Sequence, residues 1–362
     1  MNKNDIFVVY GNQIKEMTFS LLEKANIEKL IPSKTAKIGL KPNLVVARTP
    51  EGGATTHPKI VVSVIEYLHS LGYSNIKIIE SAWVGDSTKR GFKVNGYYEI
   101  SEKYNVELVD VKDDEYVEKT LNRITMSISK EILDLDFLIS LPVLKGHCQT
   151  LMTCALKNMK GCLSDSSKRL FHSLGLMVPI ATLNAIKAAD LVIVDSLNGD
   201  LDFEEGGTPV KTDRMFISRD SVLIDTFAAT LLGFKSDDVE YISIANELGV
   251  GSMDLNTANI EYLNKPEFNE INRPKGVVAS LAKYTNPNKA CSACYGNLIH
   301  AIKRLEENGE LNISDKICIG QGYKDCQDKS LIGVGICTRG LGKSLKGCPP
   351  SAKDMMDFIR EN

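Results

Sequence analysis

The stretch "DFLISLPVL", residues 136–144, constrains the fold of this chain more than any other. It is apolar almost without interruption, so a strand built from it has no face to give to water. Such strands lie inside parallel sheets that are covered on both sides. Shorter segments around it alternate between strand and helix patterns, as a sheet of this kind requires. "DIFVVYG" (5–11), "AKIGLKPNLVV" (36–46), "NIKIIES" (75–81), "VELVDV" (106–111) and "LVIVDSLNGD" (191–200) read as strands. "HPKIVVSVIEYLHSLGY" (57–73) carries apolar residues at helical spacing. Thr56 is its expected N-cap, Pro58 its first helical residue, and Gly72 lies just past its end. Further helices are expected over 96–104, 178–190, 221–233 and 237–251. Residues 1–265 are therefore expected to form an α/β domain, with a parallel or mostly parallel sheet and helices on both faces. Pro266, Pro274 and Pro287 mark 266–290 as a linker, and 291–362 reads as a small cysteine-rich α+β domain. No internal repeat is visible.

The cysteines are unevenly spread. Six of the nine, Cys291, Cys294, Cys318, Cys326, Cys337 and Cys348, fall in the last quarter of the chain. An odd number argues against a disulfide framework and for metal ligation or burial. Cys291-Ser-Ala-Cys294 opens a helix pattern, Cys337 ends an expected short strand, and Cys348 sits in "KGCPP" ahead of a final helix. Helix N-termini favour anions, and a thiolate-bound iron–sulfur cluster is anionic. Cys291, Cys294, Cys337 and Cys348 are thus the expected ligands of a [4Fe–4S] cluster. Structural zinc also takes four cysteines, but usually as short knuckles, and the Cys337–Cys348 spacing suits it less. Burial of the thiols as small hydrophobes is the third reading. Cys318 reads as packing, and Cys326 is the substitute should one of the four ligands differ. Cys148, Cys154 and Cys162 have no metal-knuckle spacing and are expected to be buried.

Polar residues recur at the carboxyl ends of the expected strands, where ligands bind in open α/β sheets. Lys41 and Asn43 follow one strand, Glu80 ends another, Lys145 and His147 follow the buried run, and Asp195 ends a fourth. Thr56 and His57 begin a helix. Thr153 and Lys157 are four apart, on one helix face. With Asn158 and His172 these residues outline a cationic, hydrogen-bonding pocket for a small anionic metabolite. Lys145, His147, Lys157 and Asn158 carry the catalytic expectation, because charged groups beside buried strands are costly without a task. Lys145 or His147 is the expected proton donor. Lys41, Asn43, Thr56, His57, Glu80, Thr153, His172 and Asp195 carry the substrate-binding expectation. Capping of turns and helices is the plainer reading for Asn43, Thr56 and Asp195.

Two resemblances add to this. "GCPP" is similar to the ligand loop in the cluster-bearing small subunits of nickel–iron hydrogenases and of the respiratory quinone reductase. Lys41-Pro42-Asn43, Thr56-His57-Pro58, Leu144-Lys145 with His147, and Leu156-Lys157-Asn158 with Gly161 resemble the domain-of-unknown-function family numbered 362. The likeness covers most of residues 36–230. It implies an α/β fold and association with cluster-binding segments, without an assigned reaction. The chain departs from the family pattern near Cys162.

Composition narrows the rest. A net charge of −3 gives no footprint for nucleic acid. No stretch has the apolar length of a membrane span, and the apolar run near the N-terminus is too short for a signal peptide. A cytoplasmic protein is expected. No Gly-x-Gly-x-x-Gly follows the first strands, so a nucleotide cofactor is not indicated. The leading expectation is an iron–sulfur reductase supplied by a ferredoxin-like electron donor. A non-redox metalloenzyme (lyase or isomerase), and a metabolite-binding protein with a structural cluster, are the alternatives. Self-association is left open.

Overall fold

The computed structural model describes residues 1–266 and 276–362. Eight strands form the main sheet: β1 (Asp5–Tyr10), β2 (Ile38–Pro42), β3 (Ile76–Glu80), β4 (Glu107–Asp110), β5 (Phe137–Leu141), β6 (Leu191–Asp200), β7 (Pro209–Ser218) and β8 (Asn259–Tyr262). Their order is β8-β1-β7-β6-β5-β2-β3-β4. β7 runs antiparallel to both of its neighbours, and every other pair is parallel. The fold is thus the expected mostly parallel α/β sheet. β5 lies at its centre, with Ile139 opposite Leu40 on one side and Leu191 on the other.

The apolar run of β5 serves both faces. Phe137, Ile139 and Leu141 join the core beneath the helix α1 (Pro58–Ser70), while Leu138 joins the opposite core. Each such side chain contributes roughly 1.5–3 kcal/mol when fully buried. α1 starts at Pro58, as expected, and only its cap differs. His57, not Thr56, is its cap: the His57 Nδ1 accepts from the Lys59 N–H at 3.2 Å. The Thr56 hydroxyl instead donates to the Leu141 carbonyl at 2.6 Å and accepts from the Asn43 N–H at 2.8 Å, tying the ends of β2 and β5 together.

β6 and β7 form a long hairpin that projects beyond the sheet edge, joined by residues 201–208. A short hairpin, Lys145–His147 with Leu151–Thr153, follows β5 and places Thr153 on a strand instead of the expected helix face. It leads into the single turn α2 (Ala155–Asn158) and then α3 (Asp165–Ser173).

The C-terminal segment builds a second, parallel sheet from β9 (Thr285–Pro287), β10 (Ile317–Ile319), β11 (Ile332–Val334) and β12 (Lys343–Leu345), in that order. Of the expected linker 266–290, residues 267–275 lie outside the described residues. Its later part holds a helix, Gly276–Ala282, and β9. The structure also shows a repeat that the sequence conceals. β10, β11 and β12 are each followed within two residues by a glycine at positive φ: Gly320 (118°), Gly335 (90°) and Gly347 (139°). After Gly320 and Gly335 comes a 3₁₀ turn.

The helix α4 (Ser292–Glu307) is enclosed nearly all round from Cys294 to Leu305. Leu298, Ile299, Ala301, Ile302 and Leu305 have no exposed surface. They share one continuous core with Leu138, Val194 and Phe216 of the main sheet and with Met355 and Ile359 of the last helix, α5 (Ala352–Arg360). α4 packs tightly on β7 at Gly296, where an added Cβ would lie 2.6 Å from the Thr212 methyl and 3.0 Å from the Lys211 carbonyl oxygen.

Candidate functional site

Two groups of side chains stand along the carboxyl edge of the main sheet. The first lines a crevice of about 750 Å³ above β2, β3 and β5. Its floor and walls include Asn43, Glu80, His147, Lys157, Asn158, Lys160, Lys168, Arg169, His172 and Glu204. Trp83 and Phe203, 46 % and 56 % exposed, stand among these as apolar walls.

Glu204 organises this crevice, and the sequence reading missed it. It lies in the loop joining β6 to β7. Its carboxylate pairs with Lys157 and with His147 Nε2 at 3.3 Å, and its carbonyl accepts from Lys145 Nζ at 2.7 Å. Burial alone pushes the Glu204 carboxyl up. Lys157, His147 and Lys145 more than reverse this and hold it well below the usual carboxylate range. The only sequence signal was an acidic pair, Glu204-Glu205, in a glycine-containing loop. His147 Nδ1 accepts from the Gln149 and Thr150 N–H groups, both at 3.1 Å, so the ring proton sits on Nε2 and faces Glu204. Burial pushes the His147 pKa down, which keeps the ring neutral.

Beneath the crevice Lys41 and Glu80 form a buried ion pair, and Asn158 approaches Lys41 Nζ through its side-chain oxygen at 3.5 Å. Gly161 lets the turn after α2 close over this pair. An added Cβ there would lie 2.5 Å from Glu80 Oε1 and 2.6 Å from Lys41 Nζ. Lys168 reaches the pair's other side, bonding the Ser81 hydroxyl and donating to the Ala82 carbonyl at 2.8 Å. Burial lowers Lys168 to about 8 and Lys160 to about 7. Lys160 Nζ lies 3.4 Å from His172 Nε2 at the crevice wall.

The expected site residues divide accordingly. Asn43, Glu80, His147, Lys157, Asn158 and His172 line the crevice. Lys41, Thr56, His57, Lys145, Thr153 and Asp195 support it without lining it. Lys145 is sealed, donating to the Ala54 carbonyl at 2.6 Å as well as to Glu204, and burial lowers it to about 7. Thr153 accepts from Lys157 Nζ at 3.2 Å from the end of a strand, not from a shared helix face. Asp195 accepts from the His57 and Leu197 N–H groups at 2.8 and 3.1 Å, and burial raises it to about 6. His57 is spent on capping α1.

Cys148 departs from the expected burial. It is exposed, in the loop of the short hairpin, and lines the crevice, whereas Cys154 and Cys162 are buried. Burial pushes the Cys154 thiol well above its usual value and Cys162 up to about 12. A maleimide is therefore expected to label Cys148 ahead of the other two mid-chain thiols, as read by peptide mass. Inorganic phosphate or succinate seated in the crevice should slow that labelling. Protection should be strongest below pH 7, where Lys160 and Lys168 both hold their protons, and should fade above pH 8. Protection that is constant across this range would mean the two lysines do not hold the anion.

The second group is made of thiols. Cys291 caps the N-terminus of α4, and Cys294 sits in its first turn. Cys337 follows β11, and Cys348 follows β12. The Ile336 N–H donates to the Gly347 carbonyl at 2.8 Å and the Gly335 N–H to the Leu345 carbonyl at 2.8 Å, which locks these two loops side by side. The four thiols feel one another: Cys291 above all, then burial, Cys348 and Cys337, disfavour a thiolate at Cys294. Gly335 lies against the group, since a Cβ there would come within 3.7 Å of Cys294 Sγ. A side chain at Gly347 would meet Pro350 Cα at 2.8 Å. Among the described residues, no three His, Cys, Asp or Glu side chains converge on a single ion position. Cys318 and Cys326 lie apart, packed with Tyr323 and Leu341.

The two groups are joined. Asp213 of β7 acts electrostatically on Cys291, and Asn297 of α4 donates to the Pro350 carbonyl at 2.9 Å while lying 3.4 Å from the Arg214 guanidinium. Farther along α4, Arg304 donates to the Leu201 carbonyl at 2.9 Å, at the base of the loop that carries Glu204.

Comparison with known proteins gives three findings. A family model described as "Domain of unknown function (DUF362)" matches residues 38–230, more than half of the chain. The thylakoid-associated protein sll1697 of Synechocystis sp. is 28% identical over 205 residues, covering 53% of this chain. The aligned part spans 60% of that relative's length. Among solved structures, the lactate racemase apoprotein of Thermoanaerobacterium thermosaccharolyticum matches with a TM-score of 0.43 at 12% identity, over 63% of this chain and 57% of that one. A structural-genomics protein of Thermotoga maritima matches with a TM-score of 0.36 at 11% identity, over 71% and 62%. No helix among the described residues is long and apolar enough to cross a membrane.

Proposed function

The chain belongs to the DUF362 family, and from that premise we propose that it is an iron–sulfur reductase acting on a small anionic substrate held in the crevice. One observation carries this reading. The thiol quartet and the cationic crevice stand along one edge of the sheet, and α4 carries Cys294 in its first turn while its Arg304 bonds the Leu201 carbonyl at the base of the loop that holds Glu204. The donor set fits a [4Fe–4S] cluster: four thiols, two of them at a helix N-terminus, with glycines where the backbone runs closest. Cys291, Cys294, Cys337 and Cys348 would hold it. When bound, such a cluster supplies electrons singly, at a potential set by burial and hydrogen bonds.

The remaining work falls to the crevice. Lys157, Arg169 and Lys168 attract the anion, and Asn43 and Asn158 orient it. Lys160, lowered to about 7 by burial, stands at a wall of the crevice and is half protonated near neutrality, which suits a proton donor. This moves the role from Lys145, whose ammonium is turned into backbone carbonyls, and from His147, whose proton is committed to Glu204. Trp83 and Phe203 restrict water at the mouth.

The test is anaerobic purification followed by stepwise reduction with EPR detection. A paramagnetic signal appearing on one-electron reduction within biological potentials is expected. Iron and sulfide that stay unreduced across that range would leave a metabolite-binding protein with a structural cluster instead.

A further inference from the structure

The four thiols are not equally covered. Cys291 and Cys294 are buried, Cys337 is half-buried and Cys348 is exposed. The open side carries cations. Lys324 acts on both Cys337 and Cys348, Arg339 acts on Cys337, and Lys265 acts on Cys348. Lys346 stands two residues before Cys348. All four cations are exposed, and none has a carboxylate within ion-pairing distance among the described residues. In contrast, Lys303, Arg304 and Arg360 of the same segment are each paired. Ile336, next to Cys337 and bonded through its N–H to the Gly347 carbonyl beside Cys348, is 39 % exposed.

Unpaired cations around a partly bare apolar point fit a macromolecular contact better than a small-molecule one. They come from three separate stretches of the chain and are all exposed. A rim of one charge sign raises encounter rates with a partner of the opposite sign. The thiols at the centre fix what such a partner would do there. We infer that this face docks a small acidic one-electron carrier protein, with Lys324 and Arg339 at the centre of the contact and Lys265 and Lys346 at its rim. This rests on the iron–sulfur reading. In the docked complex one electron leaves the carrier's reduced centre and enters this chain's. The carrier is oxidised, this chain is reduced, and no bond forms or breaks. The crevice lies elsewhere along the sheet edge, so carrier and substrate do not compete for space.

The test uses the whole iron-loaded chain and a plant-type [2Fe–2S] ferredoxin as the acidic probe, with binding followed by surface plasmon resonance. The double variant Lys324→Glu/Arg339→Glu is compared with Lys119→Glu/Lys93→Glu, which makes the same charge change at exposed positions of the α/β domain. The first pair should weaken association at low salt by about 10-fold or more, mainly in the on-rate, and the difference should shrink at high salt. The control pair should change little. Equal loss in both pairs would overturn the proposal, as would unchanged binding in the first. A shift in midpoint potential without a change in affinity would assign the cations to tuning and also overturn it. Iron content, measured on each sample, separates the two claims. Charge-dependent binding by an iron-free chain would keep the docking face and sink the reductase, whereas iron without charge-dependent binding would do the reverse.

Discussion

Cys348→Ser and Cys337→Ser should each lose most of the bound iron and the broad visible absorption of the anaerobically purified protein. Cys318→Ser should keep both. The contrast follows from position. Cys337 and Cys348 come from adjacent loops locked by the Ile336–Gly347 and Gly335–Leu345 hydrogen bonds, and both act electrostatically on Cys294. Cys318 has no exposed surface and packs with Tyr323 and Leu341 instead. A serine hydroxyl is a far poorer ligand for iron than a thiolate, and a cluster with three good ligands is labile. The loss should reach stability as well, because metal-binding free energy in a small segment becomes folding free energy. The readouts are iron and sulfide content, the visible spectrum and the unfolding midpoint. Unchanged iron in Cys348→Ser would remove that residue from the ligand set, and Cys326 would be the next to test.

The second large effect is expected at Glu80. Its carboxylate is buried and paired with Lys41, and burial pushes its pKa up against the pull of that lysine. Glu80→Ala leaves an ammonium with no exposed surface facing only backbone and Asn158. Removing one partner of a buried pair costs about 3–5 kcal/mol. Replacing both by apolar residues of similar size costs much less, since the desolvation penalty goes with the charges. Denaturant unfolding should therefore show a large drop in midpoint for Glu80→Ala and substantial recovery in Lys41→Met/Glu80→Leu. If the double variant is as unstable as the single, the pair is held by more than its own charges. Lys168, which also acts on Glu80, is then the residue to vary next.

The sequence revealed the sheet more clearly than the hairpin that extends from it. β5 announced itself because a nearly unbroken apolar run has few other solutions. β7 did not, because "PVKTDRMFIS" mixes charged and apolar residues, and antiparallel addition breaks the strand–helix alternation that guided the reading. Glu204 was missed for the same reason: without the hairpin, its loop has no reason to lie over the crevice. The lysines were easier, since a charge beside a buried strand is conspicuous on energetic grounds. Where their side chains point was not legible. Lys145 and Lys157 are similar in sequence setting, yet one is sealed into backbone carbonyls and the other lines the crevice. The strand–glycine repeat behind β10, β11 and β12 stayed hidden because each strand has only three residues and the intervals are unequal. The Cys-x-x-Cys and "KGCPP" motifs were legible because thiols leave few ordinary roles at chain turns.

The enclosure of α4 has a consequence for how the protein comes into being. The helix completes a core whose other wall is β7 and the main sheet, yet it is made some 75 residues after that strand. During synthesis the α/β part emerges first, with the surface around Val210 and Thr212 still uncovered. That surface waits for Gly296 to reach it and for Leu298, Ile302 and Leu305 to be translated. The C-terminal segment is thus not a detachable cassette that can be cut at 290 and grafted elsewhere. It works as a closing wedge, translated after the surface that it covers.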